Sequence, residues 1–181
     1  MLIDPRHALF LLVDLQERLM PAMHEPQQVI ANALIMVAAA GRLGIPTVVT
    51  EQYPQGLGHT VPEISERLGQ REAVYAKVTF SAAADPATMA RLRQSRRQQV
   101  VLAGVEAHVC VTQTAIGLAQ AGYQPFVVAD ATTSRKPQSA QLALERLRQN
   151  GVSIVSTEMV LFEWLGRAGT DEFREISRLI R

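Results

Sequence analysis

The sequence predicts an α/β fold: a three-layer α/β/α domain built on a six-stranded, parallel, doubly wound sheet. Three observations carry this. Short apolar runs, several of them β-branched, alternate with amphipathic helical stripes from one end of the chain to the other. The runs lack the polar alternation of a half-exposed strand, as expected where helices cover both faces. The chain has 181 residues and shows no internal repeat, linker or low-complexity tract, so residues 1–181 read as a single domain. At that size about 70% of the unfolded surface is buried, which supplies a full core without disulfides or structural metals.

Ala8–Val13 is a continuous apolar run of strand length that ends at Asp14. Ile30, Ala33, Leu34 and Val37 follow at the i, i+3, i+4, i+7 spacing of a helical stripe, which Gly44 and Pro46 stop. Residues 45–50 form the second strand. A Gly- and Pro-rich loop over 53–62 leads into a short helical stretch near 63–68. Residues 73–79 read as a third, weaker strand, and Pro86–Ser95 as a helix with Met89 and Leu92 inward. The second half repeats the rhythm. A strand over 99–103 is broken by Gly104, and Val111, Thr114, Ala115 and Leu118 form the next stripe, closed at Gly122. A strand over 125–129 ends at Asp130. Ala140, Ala143, Leu144 and Leu147 make another stripe, stopped by Asn150 and Gly151, and 152–155 is the last strand. A short helix over 159–165 precedes a final one. Thr170 caps that last helix, with Asp171 and Glu172 in its first turn and Arg178 and Arg181 in its last, matching the helix dipole. The whole pattern is Rossmann-like.

Composition excludes several classes. Lys+Arg 18 against Asp+Glu 17 leaves a net charge of +1, which gives no electrostatic reason to expect nucleic acid or an anionic membrane as partner. The one cysteine, Cys110, rules out an internal disulfide framework and a two-pair zinc site, and it suits a reducing, cytoplasmic compartment. The first apolar run is too short for a signal peptide, and no stretch reaches the ~20 residues that span a bilayer.

In an open parallel sheet, ligands bind beyond the carboxyl ends of the strands where the strand order reverses. That rule selects Asp14, Glu51 and Gln52, Lys77, Cys110 and Asp130 as the polar residues that close strands or follow them. Among these, Asp14, Lys77 and Cys110 make a chemical set of carboxylate, ammonium and thiol. A thiol near a helix N-terminus and a lysine is expected to have a lowered pKa. An aspartate beside it can take the thiol proton and return it to a leaving group. Bland roles exist for each: Cys110 as a small packing residue, Asp14 as a turn cap, Lys77 as a solvated edge residue. His108 reads as a helix-end residue and His59 as a surface-loop residue. Phe162 and Trp164 read as core or subunit contacts, and Gly56 and Gly58 are weak evidence for phosphate binding.

Three segments together resemble the isochorismatase-like cysteine hydrolase family. They are Leu-Leu-Val-Asp14-Leu-Gln, Lys77-Val-Thr-Phe-Ser, and Ala-Gly-Val-Glu-Ala-His-Val-Cys110-Val-Thr-Gln-Thr-Ala. They fall in the family's order and at comparable spacing, and the third is specific. The branch most similar is the isochorismatase domain-containing hydrolases. The resemblance implies Asp14 as general base and acid, Lys77 as stabiliser of thiolate and transition state, and Cys110 as nucleophile. It implies a cis peptide between Val105 and Glu106, with the backbone N–H groups of Glu106 and Cys110 as the oxyanion hole. It also implies a parallel doubly wound sheet and a homo-oligomer.

Two departures refine the expectation. Nicotinamidases of the family carry an Asp-x-His metal motif after the second strand, whereas this chain has Thr50-Glu51-Gln52-Tyr53, so no metal or other cofactor is expected. Isochorismate hydrolases proper commonly lack the cysteine, so Cys110 favours the amide-cleaving branch. The expected activity is hydrolysis of a small amide or carbamoyl compound through a thioester. Gln16, Gln52, Tyr53 and Phe80 are candidate pocket residues. Two other classes compete: an idle small-ligand-binding module and a thiol redox sensor. Homo-oligomerisation is also expected because Phe162, Trp164, Leu165, Phe173, Ile176 and Ile180 give the C-terminal region much apolar surface.

Overall fold

A computed structural model describes residues 1–69 and 73–180. Six strands form one sheet: β1 (Ala8–Val13), β2 (Thr47–Gln52), β3 (Ala73–Lys77), β4 (Gln99–Gly104), β5 (Gln124–Thr132) and β6 (Ser153–Val155). All pairings are parallel, in the order β3-β2-β1-β4-β5-β6. The chain therefore winds outward from β1 to β3, returns to the middle at β4, and winds out the other way. The reversal between β1 and β4 opens the crevice in which such folds hold ligands.

The helices are α1 (Pro26–Leu43), α2 (Pro54–Leu57), α3 (Pro62–Ser65), α4 (Pro86–Ser95), α5 (Thr112–Gln120), α6 (Pro137–Gln149), α7 (Thr157–Leu165) and α8 (Asp171–Ile176). β1 is buried at all six positions, and its alternate side chains feed two cores. Phe10 and Leu12 pack with Ala33, Met36 and Val37 of α1, Trp164 of α7 and Ile176 of α8. Leu9 and Leu11 pack with Met89 and Leu92 of α4, Leu118 of α5 and Leu147 of α6. This explains why the strand sequences carry no polar alternation.

Local signals fix the ends. Gly44 caps α1 at φ +66°, and Thr170 caps α8 by accepting from the Phe173 N–H at 3.1 Å. Gly104 sits at φ +132°, where any Cβ would run into the Val13 carbonyl, so only glycine lets β4 end this close to β1.

Several element boundaries differ from the sequence pattern. β2 begins at Thr47 and runs on through Glu51 and Gln52, because pairing with β3 continues to Gln52↔Lys77. β3 accordingly ends at Lys77. β4 includes Gly104, and β5 runs on to Thr132, so Asp130 lies inside it. The loop after β2 contains α2. The α8 helix ends before Arg178, and Arg181 lies outside the described residues.

The C-terminal apolar residues also require a correction. Trp164 and Ile176 are buried in the chain's own core, and Leu165 and Ile180 pack against it. Phe162 and Phe173 pair at a centroid distance of 6.4 Å. Phe162 remains 45% exposed. Docking of α7 and α8 onto α1 and the sheet removes most of the surface that had suggested a subunit contact. Among the described residues, no helix is long and apolar enough to cross a membrane.

Candidate active site

Asp14 is the first residue past β1. It adopts a left-handed conformation at φ 56°, and its N–H donates to the Thr50 carbonyl at 3.1 Å. A non-glycine residue in this region marks a backbone over-determined by its surroundings. The turn points the carboxylate into the crevice, where it is fully buried. Its Oδ1 accepts from the Thr50 hydroxyl at 2.7 Å, and its Oδ2 accepts from Lys77 Nζ at 2.7 Å.

Lys77 closes the edge strand β3, yet its side chain is buried and reaches across β2. Besides Asp14, its ammonium donates to Gln52 Oε1 at 2.7 Å and to the Thr79 and Phe80 carbonyls at 3.2 Å. Three hydrogens meet four acceptors, an environment that only the charged ammonium satisfies. The solvated-edge reading of this lysine fails because the strand ends pointing into the switch-point crevice.

Cys110 lies in a single π turn, Ala107–Val111, that opens α5. The N–H groups on either side of it, from Val109 and Val111, both donate to the Glu106 carbonyl, at 3.1 and 3.2 Å. Such widened turns recur at functional sites. The thiol is buried and lies close enough to Asp14 and Lys77 for both charges to act on it. Carboxylate, ammonium and thiol thus come together from β1, β3 and the turn after β4. The 105–106 peptide is cis, and the Glu106 carboxylate accepts from the N–H and Nε of Arg135, both at 3.0 Å.

The electrostatics reverse one expectation. Burial pushes the Cys110 thiol up to about 12, and the facing Asp14 carboxylate pushes in the same direction, with a smaller contribution from Glu106. Lys77 opposes this without prevailing. The ammonium bonds the aspartate while the sulfur loses its water, so desolvation outweighs the field of the lysine. Burial likewise raises Asp14, against the lowering by Lys77, Thr50 and Cys110. The thiol therefore keeps its proton beside the Asp14–Lys77 pair.

The other sequence candidates separate. Gln16 is not a pocket wall: its Nε2 donates to the Gln52 and Gly58 carbonyls, and its Oε1 accepts from the Gln52 N–H. Gln52 is likewise engaged, holding Lys77 and donating from Nε2 to the Val78 carbonyl at 2.9 Å. Tyr53 and Phe80 are each 54% exposed and flank the lysine: the Tyr53 N–H donates to the Lys77 carbonyl, and the Phe80 carbonyl accepts from the ammonium. Glu51 faces the other side of β2 and ties down the following loop. Its Oε1 accepts from the Thr60 N–H and hydroxyl, and its Oε2 meets His59 Nδ1 at 3.0 Å. Asp130 accepts from the Thr157 N–H and hydroxyl and so anchors the start of α7. His108 pairs with the Ser134 hydroxyl at 2.9 Å. Among the described residues, no three His, Cys, Asp or Glu side chains converge as a metal site would require.

Thr50 is the site residue that sequence reasoning missed. The signal was present: in a strand, i and i+2 share a face, so a β2 that includes Gln52 puts Thr50 beside it. Removing the ammonium tests the pair. Lys77→Met leaves a buried, unpaired carboxylate, and denaturant unfolding should show a loss of about 3–5 kcal/mol.

A family model described as the isochorismatase domain matches residues 8–159. The chain belongs to the isochorismatase domain family. The family's "Isochorismatase domain-containing protein 2" from Bos taurus is 38% identical over 178 residues, covering 98% of this chain and 84% of that protein. The solved structure of a protein called MAR1 ribonuclease from Caenorhabditis elegans is 35% identical. It superposes with a TM-score of 0.94 and covers 99% of this chain and 92% of that one. A structure from Escherichia coli, the YcaC product, is described as an octameric hydrolase of unknown specificity. It shares the fold at a TM-score of 0.88 and 24% identity, covering 99% of this chain and 87% of that one. This chain thus shares its fold with both solved structures.

Proposed function

We propose that this protein is a metal-independent cysteine hydrolase that cleaves the C–N bond of a small amide or carbamoyl compound. One observation carries the reading: a single buried carboxylate is paired with an ammonium at 2.7 Å and acts on the chain's only thiol. Cys110 Sγ attacks the carbonyl carbon while its proton passes to Asp14. The developing oxyanion is held by the N–H groups of Glu106 and Cys110. Asp14 then gives the proton to the departing nitrogen, the C–N bond breaks and a thioester remains. Water attacks the thioester, Asp14 takes up its proton and returns it to sulfur, and the acid is released. Lys77 keeps Asp14 ionised against its burial and offsets the charge that builds on sulfur.

The raised thiol suits this sequence of steps. A free thiolate is not stored; it forms as the proton moves to a base already in contact. The same fact weakens the redox-sensor reading, since sensor cysteines are low-pKa and accessible. Activity should rise with pH through a carboxyl pKa above the ordinary 3.8, because Asp14 must be ionised and burial raises it. It should then hold a plateau to alkaline pH, because the thiol keeps its proton until about 12.

The deciding experiment is a screen of small amides, carbamoyl compounds and a short RNA, the RNA because of the name of the nematode relative. Intact-mass measurement should find an acyl adduct on Cys110 with the amide substrate. RNA turnover that survives Cys110→Ala would overturn the reading, and an absence of both turnover and adduct across the panel would favour the idle module. The one free cysteine suits work in a reducing cytoplasm. We also propose self-association: Tyr53, Val78 and Phe80 are exposed at the rim of the site, and the bacterial structure of the same fold is described as an octamer. Light scattering at micromolar concentration should give a mass several times the 19.9 kDa chain.

A further inference from the structure

The two glutamines drawn from the pocket list have a more specific role. Two i, i+2 pairs face each other, Asp14 with Gln16 just past β1 and Thr50 with Gln52 at the end of β2. The first rung is Thr50 Oγ1 donating to Asp14 Oδ1. The second is reciprocal: the Gln52 N–H donates to Gln16 Oε1 at 2.7 Å, and Gln16 Nε2 donates to the Gln52 carbonyl at 2.9 Å. Both glutamines are buried. The backbone of Gln52 is thereby clamped, and its amide bridges Lys77 Nζ and the Val78 carbonyl.

That bridge has one permitted orientation. An ammonium cannot accept a hydrogen bond and a carbonyl cannot donate one, so Oε1 must face Lys77 and Nε2 must face Val78. Gln52 therefore supplies a neutral second acceptor at 2.7 Å, matched to the 2.7 Å contact with Asp14. A second carboxylate there would compete with Asp14 for the charge. An apolar side chain would remove one of the two short contacts and leave the ammonium free to shift toward the Thr79 and Phe80 carbonyls.

We infer that Gln52, clamped by Gln16, is a positioning residue that holds the Lys77 ammonium against Asp14 and so sets the ease with which Cys110 gives up its proton. Its mechanistic meaning rests on the hydrolase reading above, but its test does not need a substrate. The charged groups acting on the thiol are Asp14, Lys77 and Glu106, the last paired with Arg135. None of these is altered by changing Gln52. Below its pKa, a thiol reacts with iodoacetamide in proportion to its thiolate fraction, so the rate at fixed pH reports the shift.

The experiment compares wild type, Gln52→Met and Gln52→Glu at pH 8.5, with thermal unfolding followed alongside. Displacing the ammonium withdraws the one group that lowers the thiol pKa. Alkylation of Gln52→Met should be about threefold slower, the effect of half a pH unit. Gln52→Glu adds a negative charge beside the ammonium and should be about tenfold slower. If Gln52→Met does not fold, Gln16→Met, which releases the clamp and adds no charge, takes its place. Either folded variant reacting within twofold of wild type overturns the inference, and a lowered Tm with an unchanged rate would mark Gln52 as merely structural. Slowed alkylation together with no acyl adduct from any amide would leave the positioning role standing and bring down the hydrolase reading instead.

Discussion

Cys110→Ala should abolish the proposed hydrolysis while leaving the protein folded. In the proposed mechanism Cys110 forms the bond that carries the acyl group, and the chain has no other cysteine to replace it. Removal of a nucleophile from a cooperating set costs on the order of 10⁴-fold or more in kcat. The structural cost is small. The sulfur is buried, and its loss leaves only an atom-sized gap while removing a polar group held away from water. Unfolding should shift by no more than about 1.5 kcal/mol. Initial rates on the amide found in the screen, with an unfolding curve on the same sample, check both halves. A folded Cys110→Ala protein retaining a tenth of the wild-type rate would remove the thioester from the mechanism.

Asp14→Asn separates reactivity from turnover, and the two should move in opposite directions. The carboxylate raises the Cys110 pKa both by its charge and by accepting the thiol hydrogen bond, whereas Lys77 lowers it. Neutralising residue 14 removes the raising effects and leaves the lowering one. The thiol pKa therefore falls, though burial still keeps it above that of a free cysteine. Alkylation by iodoacetamide at pH 8 should quicken by about tenfold or more, one pKa unit being a factor of ten in thiolate. Hydrolysis should nonetheless fall by roughly 10³-fold or more, because an amide can neither accept the thiol proton nor pass it to the leaving nitrogen. Slower alkylation in Asp14→Asn would mean that the carboxylate stabilises the thiolate rather than the thiol, and the proton route would have to be redrawn.

Much of this molecule was legible from its residues in order. Ala8–Val13 and Pro86–Ser95 begin and end where the pattern places them, because their limits are set by local chemistry: an acid after a run of apolar residues, and a proline at a helix start behind the Asp85 cap. Gly44 and Thr170 ended and began their helices for similarly local reasons. The switch-point rule together with three short motifs brought Asp14, Lys77 and Cys110 to one sheet edge, where they are found. What was misjudged depends on neighbours. The length of β2 was underestimated because its last two residues, Glu51 and Gln52, are polar by type and become strand only by pairing with β3.

The direction of the thiol pKa is the sharpest case. A sequence displays that a cysteine opens a helix and that a lysine lies upstream. It does not display that the lysine's three hydrogens all point to other acceptors, or that the sulfur is dry and faces a carboxylate. The same holds for Gln16 and Gln52, chosen as pocket residues because they follow strand ends, and for the C-terminal aromatic residues, whose apolar surface is mostly covered by the chain's own α1. Layer architecture and the identity of the reactive groups follow from the residues in order, since periodicity and residue chemistry are local properties. Protonation, orientation and exposure follow from the folded arrangement, because each depends on which groups from distant strands share the same few ångströms and on how much water is left among them.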